Sequence, residues 1–92
     1  MNTLQSLIGR WHKVTFPNAT ILEVVEKLQE ELNEVQVEWE FDGKDMAEEL
    51  ADCAIVLLSL AQRLDIDLES AIMDKMAVNY QRVLDGRWEK SN

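Results

Sequence analysis

Apolar residues recur at helical spacing in four segments of the chain, and three short polar stretches separate these segments. The polar stretches lie at residues 17–18, 42–43 and 65–67. The predicted helices cover residues 3–14, 20–39, 45–64 and 68–85. Because such short connections make consecutive helices antiparallel, the pattern predicts an all-α, four-helix antiparallel bundle. There is no internal repeat or linker, so residues 1–92 are expected to form one domain.

Capping sequences mark the ends of the predicted helices. Thr20 and Glu23 form a capping-box pattern, in which each side chain bonds a free backbone amide of the first helical turn. Asp45 and Glu48 repeat this spacing before the third helix. Gly86 follows the fourth helix, where glycine is a common C-terminal cap. These positions predict where three of the four helices begin or end.

Two apolar features predict the core of the bundle. The third helix is apolar nearly all round after Cys53, as expected for a central helix. This single cysteine forms no internal disulfide and is expected to be a small buried hydrophobe, in keeping with a reducing cytoplasm. The fourth helix carries one apolar stripe that is expected to be buried: Leu68, Ile72, Met76, Tyr80 and Val83.

The acidic balance of the chain narrows its range of partners. Eighteen Asp and Glu against nine Lys and Arg give a formal charge of −9. Because binding to nucleic-acid backbones needs clustered cations, no nucleic acid polymer is expected as a partner. No apolar stretch approaches the ~20 residues that span a bilayer, and no signal-peptide pattern is present, so a cytoplasmic location without a membrane is expected. The small core that such a chain can bury favours an oligomer.

The acidic residues of the second helix divide between two of its faces. At about 100° per residue, Glu31 falls at the edge of the apolar stripe. Glu34 and Glu38 continue along the same flank, whereas Glu30 projects to nearly the opposite side. Glu31 and Glu34, at spacing i, i+3, are therefore the pair expected to face a neighbouring helix.

The third helix carries a second acidic pair at the same spacing, Glu49 and Asp52. Asp52 has apolar neighbours on both sides, and burying an unpaired carboxylate costs several kcal/mol, so a cation must compensate it. Antiparallel packing brings this pair to Glu31 and Glu34. Four carboxylates offer only oxygen ligands, which suit Mg²⁺, Mn²⁺ or Ca²⁺. Mg²⁺ is favoured, and its coordination shell usually also contains oxygens of substrate phosphates. With no His or Cys cluster, zinc and di-iron sites are unsupported.

An alternative interpretation of the acids stays open. They could form solvated helix faces with ion pairs to Lys27, Lys75 or Arg82, in a non-catalytic acidic module that binds a partner protein. Against it, Lys75, Asn79 and Arg82 lie at i, i+4 and i+7 on the fourth helix, on one face that can neutralise phosphates. His12 is expected to be a packing or surface residue and not a metal ligand.

Several segments together resemble a known enzyme family. Glu30-Glu31-Leu32-Asn33-Glu34 followed by Glu49-Leu50-Ala51-Asp52 resembles the Glu-Glu-x-x-Glu and Glu-x-x-Asp signature of the MazG-like all-α nucleotide pyrophosphohydrolases. Residues 65–71 and 75–82 are similar to the family's loop and last helix. Residues 11–20 are similar to the subgroup described as dATP/dGTP diphosphohydrolases.

The resemblance implies an Mg²⁺-dependent enzyme that cleaves nucleoside triphosphates to the monophosphate and pyrophosphate. It implies that the metal is held by Glu31, Glu34, Glu49 and Asp52, and that Lys75 and Asn79 contact the phosphates, with Arg82 on the same face. It also implies a homodimer or a dimer of dimers, in which a second chain can complete each site.

Two further roles are expected under this hypothesis. A carboxylate orients the attacking water, and the candidates are Glu34, Glu30 and Glu38. Trp11 is a candidate to stack on the base, as are Phe16 and Trp39, although aromatic residues at helical spacing are more often packing or interface anchors. An enzyme that removes only the terminal phosphate is the rival within hydrolases.

Overall fold

The computed structural model describes residues 3–86, which form four α-helices joined by short loops. The predicted helix bounds agree with the observed bounds to within two residues, and the all-α class is confirmed. The helices are α1 (Thr3–Thr15), α2 (Ile21–Phe41), α3 (Met46–Arg63) and α4 (Leu68–Leu84).

The capping predictions have different outcomes. At the start of α2, Thr20 Oγ1 accepts from the Glu23 amide at 3.1 Å, and a Glu23 carboxylate oxygen accepts from the Thr20 amide at 2.9 Å, which confirms the capping box. The second predicted box is wrong, because Asp45 makes no side-chain cap to α3. Its backbone, at φ −101° and ψ 22°, is not in the extended conformation of a capping residue. Glu38 Oε1 instead accepts from the Asp45 amide at 3.0 Å.

Helix α3 packs against both α1 and α2 and forms the centre of the fold. Glu31 lies beside Asp52, and Glu38 bonds Asp45, so α2 and α3 run antiparallel as predicted. Among residues 3–86, the buried apolar side chains are Val24, Val56 and Ala61. Antiparallel pairing thus places the acidic flank of α2 against the acidic N-terminal half of α3.

Helix α1 crosses the C-terminal end of α3 at close range. A Cβ atom on Gly9 would lie 2.2 Å from Gln62 Cγ, so only glycine allows this approach. Beside it, Gln5 is fully buried, and its Nε2 donates to Gln62 Oε1 at 3.1 Å and to the Ile66 carbonyl. Gln5 Oε1 accepts from the Leu68 amide at 3.0 Å. One side chain of α1 therefore ties the α3–α4 turn to the first residue of α4.

Helix α4 is the least packed helix of the described chain. Asp67 caps its start by accepting from the Ser70 amide, and Gly86 follows it at φ +72° as predicted. The predicted burial of its apolar stripe is wrong within one chain, since Ile72, Met76 and Tyr80 are 51%, 54% and 69% exposed. Periodicity identifies a face that favours burial, but it does not tell whether the covering surface belongs to the same chain.

Among residues 3–86, the helices are all too short or too polar to cross a lipid bilayer.

Candidate metal centre and adjoining cavity

Three carboxylates from two helices converge at the α2–α3 contact. Glu31, Glu49 and Asp52 each offer one carboxylate oxygen, and these three oxygens lie within 4.8 Å of one another. Glu31 is buried, Glu49 is half-buried and Asp52 is exposed, so the expected burial of Asp52 is wrong and the buried carboxylate of the group is Glu31. The i, i+3 spacing of Glu49 and Asp52 places both on one face of α3, opposite Glu31 on α2. We refer to these three residues as the acidic triad.

The acidic triad is electrostatically unfavourable without a cation. Glu31 Oε2 and Glu49 Oε2 are both buried, and neither has a hydrogen-bond partner among the described residues. Burial, and secondly the charges of Asp52 and Glu31, raise the pKa of Glu49 above its ordinary value. Oxygen-only donors with unsatisfied lone pairs are the ligand set that a hard divalent cation prefers. The residues present therefore fit an Mg²⁺ or Mn²⁺ ion.

Lys27 supplies part of the compensating charge. Its Nζ lies 3.2 Å from Glu31 Oε1 and 3.4 Å from Glu30 Oε2. The ion pair between Lys27 and an acid, expected under the alternative interpretation, is thus present. It neutralises one oxygen of Glu31 from an exposed position and leaves Glu31 Oε2 and the two acids of α3 without a cation.

The three other predicted acids occupy different places around the acidic triad. Glu34 is exposed one turn beyond Glu31, and the Glu31 carboxyl raises the pKa of Glu34, first by a hydrogen bond between the side chains and then by its charge. Glu38 lies further along and caps α3 through the Asp45 amide. Glu30 is exposed and pairs with Lys27, which also contacts Glu31. Only Glu34 directly adjoins the triad.

A cavity of about 490 Å³ opens from the acidic triad toward α1. Its acidic end contains Glu31 and Asp52, and its other end is formed by Trp11, His12 and Phe16. The ring centroids of Trp11 and Phe16 lie 6.0 Å apart in an edge-to-face arrangement. The remaining lining residues are Ala19, Glu23, Val24, Lys27, Ile55 and Val56. The cavity volume is typical of a small-molecule site, and its two ends suit an anionic, metal-binding group and an aromatic ring.

Arg63 holds the aromatic end of this cavity in place. Its Nε donates to His12 Nδ1 at 2.9 Å, and its terminal nitrogens donate to the carbonyl of Ala19 at 3.1 Å and of Phe16 at 2.7 Å. The last residue of α3 thereby fixes both the end of α1 and the loop that enters α2. His12 is buried and acts as a packing residue, which confirms the prediction for it.

The burial of His12 beside Arg63 predicts a pH dependence of stability. Burial, and secondly the Arg63 charge, lower the pKa of His12 below its ordinary value near 6.5. The unfolded chain then binds more protons than the folded chain, so the contribution of His12 is complete above about pH 6.5 and is lost as the pH falls toward the lowered pKa. We expect urea unfolding between pH 7.5 and 5.5 to show this loss.

The matched variant is His12→Asn, which keeps a hydrogen-bond acceptor and removes the titration. The difference in unfolding free energy between the two proteins should narrow as the pH falls. A difference that is constant with pH would contradict the assignment to His12.

The predicted phosphate-binding residues of α4 do not line the cavity that adjoins the acidic triad. Lys75 is exposed, and Asn79 and Arg82 are half-buried. Asn79 Oδ1 is buried and lacks a hydrogen-bond partner within residues 3–86. The described residues that line the 490 Å³ cavity include none from α4. The structure therefore unites three of the four predicted metal ligands with Trp11, and leaves α4 outside this group.

Three contributors to the site were not predicted as site residues from the sequence. Arg63 and His12 shape the cavity, and Gln5 attaches the start of α4. Each acts through partners about 50 to 60 positions away, for which no local spacing gives a signal. Lys27 was detectable, because its i+4 spacing to Glu31 is the spacing of helical ion pairs.

Comparison with known proteins identifies the family of this chain. The model of the MazG-like family matches residues 19–89, which is most of the chain and includes the whole acidic triad. The chain belongs to the MazG-like family.

It is also 44% identical over 80 residues to a protein of Salmonella phage PMBT28 named dATP/dGTP diphosphohydrolase. That similarity covers 87% of this chain and 26% of the relative, so the chain spans about a quarter of the relative's length. No solved structure matches the chain.

Proposed function

We propose that this chain is a metal-dependent nucleoside triphosphate pyrophosphohydrolase, which converts a deoxynucleoside triphosphate and water to the monophosphate and pyrophosphate. The observation that carries the proposal is the cavity that joins the acidic triad to an aromatic wall. A nucleotide has the same two chemistries, an anionic polyphosphate that binds through a metal and a flat ring that stacks. Membership of the MazG-like family supports the same reaction class.

The acidic triad and Glu34 would hold the metal, with Mg²⁺ as the expected ion and Mn²⁺ as an alternative. When bound, such an ion supplies neutralisation of the phosphate charge and polarisation of a phosphorus–oxygen bond. Glu31 and Glu49 contribute the two buried, unsatisfied oxygens, and Asp52 closes the set from the solvent side. The protein thus provides fixed anionic ligands at the point where the triphosphate enters.

Glu34 is the best placed of the three acids proposed to orient the attacking water. Its side chain adjoins Glu31 of the triad, so it lies close to the point where the metal and the triphosphate would bind. Glu38 accepts a hydrogen bond from the Asp45 amide, and Glu30 forms an ion pair with Lys27. Each would orient the water only after losing that contact. Water attack on the α-phosphorus releases pyrophosphate as the leaving group.

The nucleobase would lie against Trp11 and Phe16 at the other end of the cavity. The edge-to-face pair leaves Trp11 51% exposed, so its ring is accessible for stacking. The name of the phage relative leads us to propose dATP and dGTP as the first substrates to test. A purine offers the larger stacking surface of the two base classes.

A homodimer or a dimer of dimers would complete the site with α4 of a partner chain. The chain exposes 7117 Å², against about 5,500 Å² expected for a folded monomer of its mass. The exposed stripe of α4 contributes to this excess and adjoins Lys75, Asn79 and Arg82. Covering this stripe with a second copy would bring these three residues to a neighbouring triad. Sedimentation velocity tests the assembly, and a monomer at micromolar concentration would contradict it.

Product analysis with and without metal tests the proposed reaction. Each of the four dNTPs is incubated with the purified chain and Mg²⁺, and the products are separated by ion exchange. We expect monophosphate and pyrophosphate in equal amounts, lost on addition of a chelator and restored by excess Mg²⁺. Mn²⁺ should replace Mg²⁺. Orthophosphate as the first product would instead identify the rival hydrolase that removes the terminal phosphate.

Absence of turnover with every nucleotide, from a folded protein, would favour the non-catalytic acidic module. That module is also expected to show no Mg²⁺-dependent rise in melting temperature. We expect the activity in the cytoplasm, where Mg²⁺ and dNTPs are both available.

A further inference from the structure

A second cavity, of about 540 Å³, lies on a different face of α1 from Trp11. Its α1 wall carries residues at spacings of three and four along the helix, and its other walls come from α3 and from the start of α2. The lining residues are Ser6, Gly9, Arg10, Lys13, Ile21, Gln62 and Arg63. We call this cavity the basic cleft.

The basic cleft concentrates positive charge in an acidic chain. Three of its lining residues are cationic and none is acidic, although the whole chain has a formal charge of −9. Within residues 3–86, Arg10 and Lys13 form no ion pair, since the ion pairs there belong to Lys27. Their charges are therefore not cancelled by neighbouring carboxylates, and they face a concave surface in which field lines are focused.

Arg63 gives the cleft a fixed cation. Its side chain is half-buried, and its donors bond three backbone carbonyls and His12 Nδ1, all of them neutral acceptors. These bonds hold the guanidinium in place but leave its full charge uncompensated. Burial lowers the pKa of His12, and the Arg63 charge is the second cause of this shift. Close approach of α1 and α3 at Gly9 forms the adjoining wall.

We propose that the basic cleft binds the phosphate group of a small molecule of nucleotide size, at a site separate from the acidic triad. Arginine and lysine donors suit phosphate oxygens, and the volume lies within the usual range for small ligands. Gln62 and Ser6 add neutral hydrogen-bonding groups, and Ile21 adds an apolar wall. This site needs no metal and does not depend on the proposed hydrolase activity. Its ligand is a free polyphosphate or a nucleotide.

Backbone amide NMR in the presence of EDTA tests this site directly. The full chain is titrated at constant ionic strength with pyrophosphate, with dATP and with citrate, the last as a trivalent anion without phosphorus. We expect saturable shifts of the Gly9, Lys13 and Gln62 amides with the phosphorus compounds. Tighter binding of dATP identifies a nucleotide site, and tighter binding of pyrophosphate identifies a polyphosphate site. Equal shifts with citrate, or no saturable shifts at these amides, would overturn the proposal.

Charge-matched variants separate the cleft from the general surface. Arg10→Gln and Lys13→Gln should each weaken binding of the phosphorus compound about fivefold or more, with the same number of dispersed amide peaks. Lys44→Gln removes one positive charge from an exposed loop outside the cleft and should leave affinity within about twofold. Equal weakening by Lys44→Gln would show that binding follows net charge alone and would also overturn the proposal.

Discussion

Asp52→Asn should lower turnover of the preferred dNTP by at least about 100-fold while leaving the helical content unchanged. The substitution keeps the size of the side chain and removes its charge from the acidic triad, whose oxygens lie within 4.8 Å of one another. Losing a metal ligand should cost at least the 10- to 100-fold typical of changes in the groups that merely support ligands. Steady-state kinetics at saturating Mg²⁺, together with circular dichroism, measures both quantities.

Glu49→Gln tests whether removing one charge from the acidic triad raises the stability of the metal-free chain. Burial and neighbouring carboxylates raise the pKa of Glu49, so its charged form is disfavoured in the folded chain. Removing that charge should increase stability without metal above about neutral pH and abolish the stabilisation by Mg²⁺. A merely solvated acidic face would show neither effect. Thermal unfolding with EDTA and with Mg²⁺ measures both.

Glu48→Gln is the matched control for these two variants. It removes the same charge from the same helix, at an exposed position outside the triad. Its turnover and its Mg²⁺ response should remain close to those of the parent chain. If Glu48→Gln and Asp52→Asn behave alike, the acidic triad is not the metal site.

Gln5→Leu should destabilise the chain by about 2–4 kcal/mol. The buried carboxamide of Gln5 forms hydrogen bonds with the Leu68 amide, the Ile66 carbonyl and the Gln62 side chain, and leucine can form none of these bonds. Each buried polar group left without a partner costs about 1–3 kcal/mol, which is a large share of the 5–15 kcal/mol stability of a typical domain. Urea unfolding monitored by circular dichroism gives the free energy.

Gln36→Leu makes the same chemical change on an exposed face of α2, where the side chain forms a hydrogen bond only with Glu40 among the described residues. We expect its effect to stay within about 0.5 kcal/mol. Because Gln5 fixes the start of α4, Gln5→Leu should also lower turnover at temperatures where the chain is still folded. Equal unfolding free energies for the two variants would show that the Gln5 hydrogen bonds contribute no net stability.

The helices of this protein follow from local sequence. Thr20 and Glu23 form the capping box, and a glycine follows α4. Both features depend only on residues a few positions apart, so the local sequence is enough to predict them. The same holds for Glu49 and Asp52, whose i, i+3 spacing puts both carboxylates on one face of any helix that contains them. Family membership, which the resemblance predicted, is shown by a match over residues 19–89, a segment that contains both acidic pairs.

One local prediction, the capping box at the start of α3, is wrong. Asp45 and Glu48 have the spacing of a capping box, yet Glu38 of the preceding helix caps α3 instead. The α2–α3 turn sets the backbone of Asp45 outside the extended region, and this geometry depends on how the two helices pack. A local pattern predicts a cap only where tertiary contacts leave the backbone free to adopt it.

The contacts between residues distant in sequence depend on the tertiary structure. Gln5 reaches Leu68, and Arg63 reaches His12 and Phe16, over about 50 to 60 positions of sequence. Such contacts depend on the crossing of α1 and α3, which Gly9 permits and no periodicity specifies. The helices and the acidic pairs could therefore be predicted from the sequence, because those interactions are local. The cavity wall, the basic cleft and the exposure of α4 depend on packing, because burial is a property of surfaces that are distant in sequence.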